Sequence, residues 1–156
     1  MGVAEWLTAI EQLDAVRALK GSFYAYPIVN ALHVLAVGVL LTTVLLMDLR
    51  VVGLIRSLPE AAFVRLLRRY ALGAFGIAVL TGATMFSVRA ADYVAMPLFL
   101  AKMALIGLAG INFVVFSVLD RRRRQGRPSG AVRVLAILSV LIWLTVLLAG
   151  RFLGFI

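Results

Sequence analysis

The stretch YPIVNALHVLAVGVLLTTVLLM, residues 26–47, decides the fold. It opens on Pro27, a residue suited to the first turn of a helix. It then runs to Met47 without an acid or a basic side chain other than His33. About 20 apolar residues cross the roughly 30 Å of a bilayer's hydrocarbon, so this segment reads as a membrane span. Three further segments share that character: residues 70–88, 96–119 and 132–150. A chain that crosses hydrocarbon must satisfy its backbone hydrogen bonds within each segment, so all four are expected to be helices.

Composition agrees. The 156 residues are 63% hydrophobic, with seven acidic side chains, an apolar excess a soluble domain of this size would not hide. There is no cysteine, so disulfides, thiolate metal sites and thiol nucleophiles are excluded. The net charge of +9 does not signal nucleic acid, because the basic residues flank the apolar runs and no aromatic residues interleave with them.

The basic residues set the orientation. The connection after the first span carries Arg50, Arg56, Arg65, Arg68 and Arg69. The connection after the third carries Arg121, Arg122, Arg123, Arg124, Arg127 and Arg133. Both lie on one side of a four-span protein, so both termini are expected on the other side, periplasmic in a bacterial inner membrane. The run RRRRQGR, residues 121–127, reads as a topology anchor that touches anionic lipid. The first twenty residues carry Glu5, Glu11 and Asp14 in place of a basic leader, so no signal peptide is expected.

Residues 1–21 repeat apolar side chains at Val3, Trp6, Ile10, Leu13 and Val16, with acids opposite. This pattern predicts an amphipathic helix ended by Gly21, on the membrane surface, capping the spans or docked on a partner. The expected architecture is all-α: a four-transmembrane-helix bundle over residues 22–156 behind that surface helix. In the second span Gly73, Gly76, Ala78 and Gly82 suggest close helix packing, with a flat face for a planar cofactor as the alternative.

Polar residues within the spans carry the functional reading. At 1.5 Å per residue His33 lies about 9 Å along its helix from Pro27, and Lys102 about 8 Å from Pro97. Both helices enter from the outer side, which puts the two at similar depth. Asn30 shares the helical face of His33; Met85, Arg89 and Arg151 belong to the same outer layer. An ionisable group inside a span is costly and faces a partner or a site. For His33 the options are a hydrogen bond to a neighbouring helix, an axial bond to haem iron, a proton relay or a copper ligand. Copper is the weakest, since one His with scattered Met makes no recognisable ligand set. Lys102, Arg151 and Arg89 would then meet haem propionates, although Lys102 can instead snorkel to the surface. At the opposite end Asp48 next to Arg50 is expected to form an interfacial ion pair. No chain of carboxylates crosses the bilayer, which argues against an ion channel.

The segments YPIVNALHVLAVGVLLTTVLLMDLRVVGL, PLFLAKMALIGLAGINF and LIWLTVLLAGRFLGF resemble an uncharacterised family of small bacterial four-helix inner-membrane proteins. More distantly, a His in the first span, a Gly-containing second span and a Lys opening the third are similar to HemJ-type membrane protoporphyrinogen oxidases and CopD-type membrane domains. The HemJ resemblance implies haem-linked roles for His33 and Lys102. The leading expectation is therefore a membrane protein binding b-type haem for electron transfer or haem-linked redox chemistry. Its partners would be lipid and a membrane or periplasmic redox protein, with a homo-oligomer also compatible. The alternatives are a non-catalytic accessory or anchor subunit of a larger complex and, third, copper or small-solute transport.

Overall fold

The structure, a computed structural model, describes residues 2–55, 59–123 and 130–155. Among these it contains seven helices and no strand: α1 (Val3–Glu11), α2 (Asp14–Gly21), α3 (Ala25–Val52), α4 (Glu60–Ser87), α5 (Ala90–Ala95), α6 (Pro97–Arg123) and α7 (Gly130–Phe152). Helices α3, α4, α6 and α7 are each long and apolar enough to cross a membrane. Even α7, with 23 residues, extends about 35 Å. Only 11% to 28% of each apolar window is buried within the protein, so most of these side chains face outward. Val34, Leu35, Leu80, Ile111 and Leu141 are exposed examples. That is the surface of a protein solvated by lipid, and the chain is an all-α, multi-pass membrane protein.

The helices outrun the expected spans. Helix α3 continues to Val52, and α4 begins at Glu60, ten residues before the apolar run does. Arg65, Arg68 and Arg69 are therefore helical residues. Hydropathy marks the hydrocarbon layer, whereas helix propagation carries on through the interface, where long basic side chains reach water. Helix α3 stops at Gly53, whose φ of 100° is left-handed and suits glycine. The Leu54 N–H then turns back to the Leu49 carbonyl at 3.0 Å. Arg56, Arg124 and Arg127 lie outside the described residues, as do the side chains of Arg122, Arg123 and Val3.

The N-terminal segment is helical in two pieces. Leu13, with ψ of 136°, is extended and separates α1 from α2. Its apolar stripe divides accordingly: Val16 is buried, whereas Trp6 and Leu13 are exposed. Helix α1 packs on α5, and Glu11 Oε1 accepts the Ala91 N–H at 2.9 Å, tying down an unpaired donor of the α5 first turn. One of the acids opposite the stripe thus has a structural partner within the chain.

The molecule divides into two compact units. The first comprises Met1–Leu40 with Tyr70–Pro97, and the second Leu41–Arg69 with Leu98–Ile156. In the first, α3 and α4 meet through small residues: Ala36, Ala71, Ala74 and Ala78 are buried. Small side chains let helix backbones approach where lipid removes the hydrophobic drive between them. Gly73 and Gly76, expected at this interface, lie on an exposed face with open space around them. They are offset from the Ala71–Ala74–Ala78 stripe, whose spacing of three and four residues keeps one helical face. In the second unit Met47, Val51, Val64, Phe116, Val132 and Ala136 join segments of α3, α4, α6 and α7 in one core. Ala109, Ile142 and Val146 form another, with Trp143 packed against it.

Candidate functional site

The small-residue stripe of α4 ends in Thr81 and Gly82, and these two residues hold His33 of α3. His33 Nδ1 lies 2.9 Å from Thr81 Oγ1. A hydroxyl has one proton, and that of Thr81 goes to the Ile77 carbonyl at 2.7 Å. The imidazole must then donate from Nδ1, which leaves Nε2 as the nitrogen with the lone pair. Gly82 makes room for the ring: a Cβ there would lie 3.0 Å from His33 Cε1. The imidazole is half-buried, fixed in tautomer by Thr81 and in position by Gly82. Histidines that bind metal show the same arrangement, donating one ring N–H to a protein acceptor and ligating with the other nitrogen.

Around it, the remaining candidates of this unit are unevenly placed. Met85 is half-buried one turn beyond Thr81, whereas Asn30, one turn before His33, is exposed. Tyr26 lies near Tyr93 and Arg89. Arg89 is exposed and pairs with Asp92, Nε to Oδ2, at 2.8 Å. The Asp92 carboxylate pushes the Arg89 pKa upward.

Lys102 and Arg151 belong to the second unit. Half-buried on α6, Lys102 places Nζ 3.3 Å from where a Cβ on Gly150 would be. Its ammonium therefore rests on the last turn of α7, where unsatisfied carbonyls form the negative end of the helix dipole. Arg151 is exposed, with its guanidinium carbon 4.6 Å from the centroid of the Phe155 ring. The AGRF segment thus has a local logic: Gly150 admits the lysine, and Arg151 turns away toward an aromatic face.

Asp48 departs from expectation. It forms no ion pair with Arg50; Arg50 meets Glu60 at 3.7 Å. Because α3 continues through Val52, residues 48 and 50 are two apart on a helix and point to different sides. Asp48 turns inward, 2% exposed, and bonds to the Ser139 hydroxyl of α7. A signal for this was present: Asp48 is four residues after Val44, on a stripe with Met47 and Val51, all buried. On α7, Ser139 sits in the buried series Val132, Ala136, Ser139, Ile142, Val146 and Ala149. Nearby on α6, Asn112 is buried and its Nδ2 donates to the Leu135 carbonyl at 3.2 Å. Among the described residues no three or more His, Asp or Glu side chains gather as a metal-holding group. A metal at His33 would have to arrive with most of its ligands, as iron does in a porphyrin.

Fold and geometry define a polytopic α-helical membrane protein with a positioned intramembrane histidine. The chain belongs to DUF6644, a family of unknown function, whose match covers residues 5–156. No curated protein and no solved structure matches it.

Proposed function

We propose that the protein binds a b-type haem through His33 and serves electron transfer or haem-linked redox chemistry in a bacterial inner membrane, with both termini periplasmic. The observation that carries this reading is the Nδ1 hydrogen bond to Thr81, the kind of contact that holds a metal-binding imidazole in one tautomer and orientation. When bound, haem supplies a one-electron couple that no side chain of this composition provides. His33 would be the axial ligand, Thr81 would fix its tautomer, and Gly82 would keep the ring from being displaced. Met85, on the same face of α4 as Thr81, is the neighbouring soft donor, and Arg89 is a cation of this unit that a propionate would meet. The positions of His33 and Lys102 in the first and third spans, similar to those of HemJ-type proteins, favour the same reading, and the Arg-rich connections support the orientation.

The test is the visible spectrum of protein purified in detergent from cells supplied with haem. The expected result is a Soret band that disappears in His33→Ala and persists, shifted, in Thr81→Val. Absence of the band in wild-type protein, or its survival unchanged in His33→Ala, overturns the proposal. A second reading, a non-catalytic accessory subunit, rests on Trp6 and Leu13, which are exposed in the N-terminal segment outside the four spans. Colourless protein that co-purifies in fixed ratio with a larger membrane enzyme would establish that reading instead.

A further inference from the structure

We propose that Asp48, Asn112 and Ser139 form a binding site for one small monovalent cation, a proton or Na⁺, independent of the haem reading. The three residues come from three helices of the second unit and converge on one turn of α7. In an α-helix the Leu135 carbonyl accepts the Ser139 N–H, four residues on. Asn112 Nδ2 donates to that same carbonyl, and Asp48 bonds to the Ser139 side chain. The carboxylate and the amide therefore meet the same helical turn of α7.

They leave two acceptor oxygens unmet. Asp48 Oδ2 and Asn112 Oδ1 are buried without a hydrogen-bond partner, in residues 2% and 6% exposed. Ser117 Oγ, on α6 between Asn112 and Asp120, is in the same condition. Buried polar atoms are rarely left unpaired, and these ask for a donor or a cation. Among the described residues no cation pairs with Asp48. The charged groups of the elements packed around it are otherwise placed. Arg50 of α3 is engaged with Glu60 of α4, and Arg68 of α4 lies over the Phe113 ring at 5.6 Å. Asp120 of α6 is buried and Arg133 of α7 is exposed.

An isolated carboxylate in this setting is too costly to persist. One positive charge neutralises it, and hard oxygens suit H⁺ or Na⁺. A divalent ion is a poor match: one carboxylate leaves a net charge buried, and such ions usually draw on more anionic ligands. The site is a single station, since residues 25–47, 70–87, 97–119 and 130–152 carry no carboxylate to continue it across the span.

Infrared spectroscopy of the detergent-solubilised full chain tests this, using pH and NaCl or choline chloride as the probes. Wild-type protein should show a protonated-carboxyl band that titrates reversibly and is absent from Asp48→Asn. Asn112→Ala should move the midpoint by about one pH unit, a tenfold change in proton affinity. If Na⁺ is the bound ion, NaCl removes the band at fixed pH while choline chloride does not; if the proton is, both salts leave it alike. A band that is constant across pH and both salts identifies a permanently neutral structural acid and overturns the proposal. So does a titration that Asn112→Ala leaves untouched. The wild-type titration decides between a responsive and an inert acid even where Asp48→Asn fails to fold.

Discussion

The two units of this protein solve the burial of a polar group in opposite ways. In the first, alanines are prominent among the buried residues of α3 and α4, and a half-buried imidazole is held by one hydroxyl and one missing Cβ. In the second, larger side chains such as Phe116, Met47 and Val64 fill the core, and the acid beside them is buried with one oxygen unpartnered. A satisfied group in such an interface can be oriented cheaply. An unsatisfied group in a filled core has no such freedom and must be neutralised. The contrast teaches that packing density and hydrogen-bond satisfaction are separate variables here.

Four substitutions would break or sharpen this contrast, measured as unfolding free energies in mixed micelles. Phe116→Ala should be the most damaging, by about 3 kcal/mol, because a rigid filled core cannot collapse into the void. Gly82→Ala should cost about 1 to 2 kcal/mol, since the imidazole must shift and surrender its bond to Thr81; a loss as large as that of Phe116→Ala would mean that the first unit is no more yielding than the second. Thr81→Val should cost about 1 kcal/mol, the ordinary worth of one hydrogen bond. Gly76→Ala should stabilise by about 0.5 kcal/mol, as its neighbourhood is open and alanine is the better helix former. A destabilising Gly76→Ala would show that its face is packed in the membrane.

Much of this was legible in the sequence, and the gaps have physical causes. Apolar length alone locates the four spans, because the bilayer fixes how much apolar chain a crossing requires. Their ends are less visible: α4 starts in a charged stretch that hydropathy assigns to a connection. His33 was conspicuous as an imidazole among aliphatic residues, but its partners Thr81 and Gly82 lie in another helix, and nothing local pairs them. The burial of Asp48 is hidden by its sequence neighbour Arg50, whereas helical periodicity places it on the Val44–Met47–Val51 face. The short α5 carries no hydrophobic signal and owes its capping to Glu11.

That last bond also sets an order of assembly. Helices of 9, 8 and 6 residues, the lengths of α1, α2 and α5, are too short to persist alone in water. The Glu11 carboxylate and the Ala91 amide that join α1 to α5 are 80 residues apart in the chain. Helix α1 is therefore made before its dock and completed late. It meets α5 only after two spans have been synthesised, and it serves as the clasp that closes the first unit.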